Sequence, residues 1–366
     1  MIRCFNDVYA GRRVLVTGNT GFKGSWLSLW LQTLGAEVSG IALAPKYEND
    51  HFQVARLSEK MQCQFIDVRN FSQIHKAIHE FEPDFIFHLA AQAIVGSSYN
   101  EPKETFDTNV MGTLNVLEAL RDYSQSCVGV FITSDKCYRN IEQIWSYREG
   151  DILGGDDPYS SSKGCAELII NSYTKCFFNN TNTTIASTRA GNVIGGGDRS
   201  EFRLVPDCFK ALAEGQPIVL RNPESTRPWQ HVLDPLSGYL LLGEQLLSGD
   251  SEFCSGWNFG PSLDETHTVQ EVAEEILKYW GDGEIQTEAV EQFHESSLLQ
   301  LDCTKARLML GWEPTLTFEE SIKFTTEWYK SNYDQPKNEM YSFGVQQIQR
   351  YQDLAIKRNL SWIEAN

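Results

Sequence analysis

From Arg12 to Gly195 the chain alternates short apolar runs with amphipathic stretches of helical period, and no other feature narrows its fold as far. RRVLVTG (12–18) is a short apolar run closed by glycine, which predicts a buried strand. FKGSWLSLWLQTLG (22–35) has apolar residues at helical spacing and ends on Gly35, a natural C-cap. EVSGIAL predicts a second strand, Phe71–Phe81 a helix and DFIFHLAA a third strand. Residues 105–123 read as one long amphipathic helix, CVGVFITS as a strand, SSSKGCAELIINSYTKCFF as a helix and TTIASTRAGNVIG as a strand. Strand and helix in steady alternation predict an α/β fold, a doubly wound parallel sheet with helices on both faces. After Gly195 the rhythm breaks. Residues 195–230 are rich in Gly, Pro and Arg, and helical patterns return at Pro235–Leu247, Val269–Tyr279 and 345–357.

The first strand runs into TGNTGFKG, with Gly18, Gly21 and Gly24 between strand and helix. In that position the first glycine permits a tight turn, the second lets the backbone approach a diphosphate, and the third lets helix and strand pack closely. The helix N-terminus then offers free N–H groups and a partial positive charge to phosphate. The reading is a Rossmann-type dinucleotide domain over residues 1–191, with parts of 230–260 packing back on it. A smaller mixed α/β domain over 192–366 would take the substrate. Strand two ends in Ile41, Ala42, Leu43 and Ala44. It brings neither the carboxylate that binds an adenosine ribose nor an arginine for a 2′-phosphate, so these residues leave NAD and NADP open. Asp67, after QCQFI, is the nearest acidic group and suits an adenine amino group.

PYSSSKGCAEL places Tyr159 and Lys163 four apart at a helix start, on one face. A lysine ammonium and an oxidised nicotinamide nearby would pull the phenol down from its usual ~10 toward neutrality. Tyr159 would then take a proton from a sugar hydroxyl. The strand CVGVFITS delivers Ser134, Asp135 and Lys136 to the carboxyl edge of the sheet, where such folds bind ligands. Ser134 suits the hydroxyl being oxidised. Asp135 and Lys136 exceed what alcohol oxidation needs, and a second acid–base pair implies a second chemical step.

The net charge of −18 argues against nucleic acid or an anionic membrane as the main partner. No run reaches the ~18 apolar residues of a membrane span, and the N-terminus has no apolar signal core, so a soluble cytoplasmic protein is expected. Nine cysteines stand without a CxxC pair or zinc spacing, which predicts reduced thiols and no metal. A diphosphate nevertheless needs cations. Arg203, Arg221 and Arg227 fall in the Gly/Pro-rich segment, with Trp229 and His231 close by.

VTGNTGFKGSWLSLWL, FHLAAQ, TNVMGTLNVLEA, TSDKCY, DPYSSSKGCAE, RAGNVIGGGD, RPWQHVLDPLSGYL, WNFGP and LDCTKARLMLGW together resemble the extended short-chain dehydrogenase/reductase family. More narrowly they are similar to the CDP-glucose 4,6-dehydratases, from about Gly11 to about Tyr351. The resemblance implies bound NAD and a nucleotide-sugar substrate, CDP-glucose. It implies cofactor contacts from Gly18, Asn19, Thr20, Gly21, Phe22, Lys23, Gly24, Asp67, Val68, Leu89, Ala90, Ala91, Gln92, Asn109, Tyr159 and Lys163. Substrate contacts are implied for Asn192, Arg199, Arg203, Arg221, Arg227 and His231. Tyr159 would deprotonate the 4-hydroxyl, Asp135 would protonate the departing 6-hydroxyl, and Lys136 would serve as C5 base or steady the enolate. Two long helices, 105–123 and 162–178, would pair in a homodimer. The chain departs from the dehydratase pattern at Asn19, at Gly96 and at Arg199, which bears on the nucleotide base. A 4-epimerase or a dehydratase of a dTDP-, UDP- or GDP-linked sugar, or a non-catalytic sensor on the same fold, are the competing readings.

Overall fold

The structure is a computed structural model, describing residues 2–179, 181–262, 265–288, 299–334 and 339–365. Its centre is a seven-stranded sheet of β1 (Arg13–Thr17), β2 (Glu37–Ala42), β3 (Gln62–Phe65), β4 (Phe85–His88), β5 (Cys127–Ile132), β6 (Thr183–Arg189) and β7 (Gly256–Asn258). The order is β3-β2-β1-β4-β5-β6-β7, with every neighbouring pair parallel. All of β4, β5 and β6 is buried. Helices cover both faces of such strands, so their sequences read as unbroken apolar or small-residue runs rather than alternating ones.

One face carries α1 (Phe22–Thr33), α6 (Leu233–Leu246) and α9 (Met340–Lys357); the other carries α2 (Phe71–Phe81), α3 (Gly112–Arg121) and α4 (Pro158–Cys176). Three further helices, α5 (Leu204–Ala213), α7 (Val269–Trp280) and α8 (Phe318–Asp334), belong to the C-terminal half. The predicted strands and most helices lie within a few residues of their expected places. Helices α5 and α8 were not anticipated: Pro206 sits in the first turn of one, and Thr and Ser interrupt the apolar face of the other.

The long helix expected over 105–123 is present as one unbroken helical run, 102–121, made of Pro102–Phe106, an internal π-helical turn Asp107–Met111, and α3. The π turn adds a residue to the helical circuit, and its Asn109 is fully occupied holding two neighbouring segments, as shown below. The C-terminal tail is not a loose appendage. Tyr351 of α9 donates to Asp234 at the start of α6 (2.9 Å), and Ile363–Ala365 pairs antiparallel with Ile2–Cys4.

Candidate active site

Strand order reverses direction between β1 and β4, and the loops leaving those two strands meet there. Gly18 has φ of +74°, and a Cβ on it would stand 2.7 Å from the Ala90 backbone nitrogen. A Cβ on Gly24 would stand 2.1 Å from the Gly18 carbonyl oxygen. No side chain caps α1. The loop is therefore a backbone cradle at an open helix N-terminus, which fits the diphosphate of a dinucleotide. Thr20 ties the loop to Leu43 O at 3.0 Å, and Phe22 lies against the backbone of Gly195.

Other expected cofactor contacts divide. Leu89 and Ala90 follow β4 directly, held by Leu89 N to Thr17 O (3.1 Å) and Ala90 N to Thr17 Oγ1 (3.2 Å). Ala91 and Gln92 continue that loop, and Gln92 N donates to Asn109 Oδ1 at 2.8 Å. Asn109 Nδ2 donates to Gln92 O (3.0 Å) and Ser162 Oγ (2.9 Å), so its amide is spent bracing the loop against α4. Asn19 is also turned inward, donating to Cys63 Sγ at 3.5 Å and packed on Gly40; its backbone alone faces the loop. Val68 is buried against Gly112. Asp67 stands just beyond β3 with its carboxylate held by Arg69 (Nη2 to Oδ2, 2.6 Å), which keeps its pKa below the usual carboxylate value.

At the end of β5, Ser134 caps a short 3₁₀ turn, Asp135–Cys137. Ser134 Oγ donates to Asp135 Oδ1 at 2.9 Å, and Lys136 N donates to the same oxygen at 2.9 Å. Asp135 is buried and pressed on Gly191: a Cβ there would stand 1.8 Å from its Oδ2. Glycine is needed at 191 so that the strand after β6 can pass the carboxylate. Asn192 follows with φ of +51°, its carbonyl accepting from Gln230 N at 3.2 Å.

Asp157 caps α4 by accepting from Ser160 N at 2.9 Å, and Pro158 occupies the first turn. This start fixes Tyr159 and Lys163 one turn apart, with Lys163 Nζ 6.0 Å from the Tyr159 ring centroid. The Tyr159 phenol lies beside the Ser134 hydroxyl and within the field of Asp135 and Arg203. Ser134, Asp135, Tyr159 and Lys163 thus share one buried edge.

Burial dominates the electrostatics of the protein's own groups at this edge. Burial pushes Tyr159 up to about 12, opposed by the Ser134 hydroxyl and Arg203 and reinforced by Asp135. Burial pushes Lys163 down to about 8, with Glu167 acting against it. The fourfold spacing was enough to bring the pair together, but desolvation outweighs any lowering of the phenol by the lysine. Lys23, on the first turn of α1, is lowered to about 7 by burial and by Lys163 and Arg203, with Asp135 opposing.

The predicted phosphate ligands have different surroundings. Arg203 lies near enough for its charge to act on Tyr159 and Lys23, and it pairs with Asp198 at 3.0 Å. Arg199 donates to Asn49 O (3.2 Å) and Tyr333 Oη (3.0 Å) and lies over the Tyr329 and Tyr333 rings, which ties these segments together. His231 is fully buried between Trp26 and Phe324, and burial lowers it to about 3; it is a core residue. Arg221 is exposed, with Asp207 in its field, and Arg227 bonds Thr226 O at 2.8 Å on a short strand paired with His267–Thr268.

Several residues with a part in the site escaped the sequence reading. His88 bonds Thr17 Oγ1 (2.8 Å) and Thr113 Oγ1 (3.1 Å), locking β1, β4 and α3 together beneath the loops. Glu167 and Arg189 form a buried ion pair at 2.6 Å behind Ser134. The only sequence signal for Glu167 was its place four residues beyond Lys163 on the same helical face. Among the described residues no three His, Cys, Asp or Glu side chains gather as a metal site, and no helix is long and apolar enough to cross a membrane.

Comparison with known proteins places this geometry. The model of the GDP-mannose 4,6 dehydratase family matches residues 15–325. A CDP-glucose 4,6-dehydratase of Salmonella typhimurium is 44% identical over 331 residues, covering 89% of this chain and 92% of that protein. A dTDP-glucose 4,6-dehydratase of Escherichia coli is 24% identical, covering 92% and 98%. Among solved structures, a Thermus thermophilus UDP-glucose 4-epimerase complexed with NAD superposes with a TM-score of 0.73 at 26% identity, over 87% of this chain and 99% of that one. A Streptomyces venezuelae dTDP-glucose 4,6-dehydratase with NAD gives 0.75 at 24% identity, over 87% and 97%, a likeness of fold. With its seven-stranded parallel sheet, glycine cradle and Tyr159–Lys163 pair, the chain belongs to the GDP-mannose 4,6 dehydratase family, within the extended short-chain dehydrogenases/reductases.

Proposed function

We propose that this protein is a nucleotide-sugar 4,6-dehydratase that converts CDP-glucose to CDP-4-keto-6-deoxyglucose and water, using NAD. The observation that carries the reading is the shared buried edge: a phenol, a hydroxyl and a carboxylate meet at the carboxyl ends of β5 and β6. The 44% identity to the Salmonella CDP-glucose 4,6-dehydratase supports the sugar and its nucleotide. Bound NAD supplies a hydride acceptor for C4 and, later, the hydride for C6, and its oxidised ring brings a positive charge.

Tyr159, pushed up to about 12, is protonated by itself at neutral pH, so it becomes a base only when positive charge is brought against it. Arg203 and Lys163 are the chain's own contributions to that charge. Ser134 orients the sugar 4-hydroxyl, and Tyr159 takes its proton as C4 becomes a ketone. The ketone acidifies C5–H. Lys136 removes that proton or steadies the resulting enolate, and Asp135 gives a proton to the 6-hydroxyl, which leaves as water. With hydride restored at C6 and a proton at C5, the sugar has lost one water and the redox state of the cofactor is unchanged. Arg203 and Asn192 hold the diphosphate side of the substrate. A 4-epimerase needs Ser134, Tyr159 and Lys163 but leaves Asp135 without a task.

We further propose a cytoplasmic homodimer. Nine free thiols suit a reducing compartment. On the two helices expected to pair, Met111, Leu168 and Phe177 stand exposed. The function is tested by incubating the protein with CDP-glucose and NAD and following the alkaline absorbance of a 4-keto sugar. CDP-glucose should be turned over fastest; dTDP-, UDP- or GDP-glucose outrunning it would reject the nucleotide, and a C4 epimer without 4-keto product would reject the elimination.

A further inference from the structure

Glu167 occupies an unusual place. It is a buried carboxylate, one turn beyond Lys163 on α4, and it touches three elements of the site from behind. Thr133 Oγ1 donates to its Oε1, and Thr133 immediately precedes Ser134 on the strand end. Ser187 Oγ (2.7 Å) and Arg189 Nη2 (2.6 Å) donate to its Oε2 from β6, and two residues beyond β6 Gly191 packs on Asp135. Arg189 is anchored in turn by Tyr138 Oη at 2.6 Å and Glu149 O at 3.2 Å. One carboxylate therefore joins the helix of Tyr159 and Lys163 to the strand of Ser134 and Asp135 and to the strand leading to Asn192.

Its charge has a second consequence. The titratable groups facing Lys163 are Tyr159 and Glu167 from α4, Cys137 from the turn after β5, His88 from the end of β4 and Lys23 from α1. Burial lowers His88 to about 3 and pushes the Cys137 thiol well up, so both are neutral near pH 7. Burial also pushes Tyr159 up, and Lys23 when charged works against the Lys163 ammonium. Burial favours protonation of Glu167, yet Arg189 and the two hydroxyls hold it below the usual carboxylate value. It is the anion among these groups.

We propose that Glu167 is a positioning residue for the reaction: it sets the register of Tyr159 and Lys163 against Ser134 and Asp135, and it places a buried negative charge one helical turn from Lys163. This rests on the dehydratase reading for its kinetic consequence but not for its electrostatic one. The test is Glu167→Gln, which keeps size and hydrogen-bonding capacity and removes the charge. Competitive acetylation with acetic anhydride across pH, read at Lys163 by mass spectrometry, should show half-reactivity at a pH lower by about one unit or more. Glu167→Asp, which keeps the charge, should restore most of the shift. With CDP-glucose, the alkaline limb of kcat should move down with it while KM stays within about threefold.

Should Glu167→Gln fail to fold because Arg189 is left uncompensated, the double variant Glu167→Gln/Arg189→Met removes both buried charges, and a downward Lys163 shift smaller than that of the single variant is expected because the Arg189 cation goes with the Glu167 anion. An unmoved Lys163 titration in a folded variant would overturn the proposal and leave Glu167 a structural ion pair, whatever its effect on Tm. If the parent protein fails to turn over CDP-glucose, the substrate assignment falls while the acetylation still decides the role of Glu167.

Discussion

Two regions of the molecule were expected to converge on one nucleotide sugar, and they are built differently. Ser134, Asp135, Tyr159 and Lys163 leave the ends of a buried strand and a capped helix, and they are buried together. The cations of residues 195–231 leave loops and short strands, and they scatter: Arg203 to the site, Arg199 to Tyr329 and Tyr333, His231 into the core. A parallel sheet gathers whatever follows its strands at one edge, because every strand ends on the same side. A loop imposes no such direction. Its side chains go where charge, stacking and burial are best satisfied.

If that contrast is right, substitutions on the sheet edge should abolish chemistry, while those in the second region should separate into binding and stability. The largest effect is expected for Tyr159→Phe, which removes the proton acceptor: kcat for 4-keto product should fall by about 1,000-fold or more with the fold intact by circular dichroism. Lys136→Met should lower dehydration by about 100-fold but spare C4 oxidation, seen as nicotinamide absorbance near 340 nm on adding CDP-glucose, an order-of-magnitude expectation for loss of one acid–base group. Full retained turnover would take Lys136 out of the chemistry.

The second region offers a sharper pair. Arg203→Met should raise KM for CDP-glucose about tenfold, the loss of one charge-assisted contact to phosphate. Arg199→Met should leave KM unchanged and lower stability by about 1 kcal/mol, since its bonds run to Asn49 and Tyr333. The reverse result would place Arg199 in the site and break the comparison.

The smallest effect on activity concerns His231. Its folded pKa of about 3 lies below the ~6.5 of an exposed imidazole, so the stability tied to its neutral form is complete above pH 6.5 and drains away as pH falls toward 3. In His231→Phe that drain is removed. Denaturant melts should show the variant gaining on the parent by about 1.4 kcal/mol per pH unit between roughly 6 and 4, with KM unaltered at neutral pH. A change in KM without the acid-dependent gain would return His231 to the substrate.

Much of the fold was legible because its signals are local. Apolar runs closed by Gly18 and by Thr133–Ser134 announce strand ends, and the fourfold spacing of Tyr159 and Lys163 announces a shared helix face. Periodicity found the long helix over 105–123 but not the π turn inside it, where Asn109 reaches Gln92 and Ser162, partners far off in sequence. Asn19 shows the same limit: its place in the glycine motif suggested a ligand contact, and packing against Gly40 and Cys63 turned it inward.

By itself the sequence determined the alternating α/β order, the glycine cradle and the set of reactive side chains at strand and helix ends, because each depends on residues within about one or two turns of one another. Only the tertiary structure decided that the Arg203 charge acts on the phenol, that burial raises Tyr159, and that Glu167 binds the site from behind through Thr133, Ser187 and Arg189. Burial and charge are properties of a place in space, summed over groups from several chain segments, and that place exists only once the sheet has closed around it.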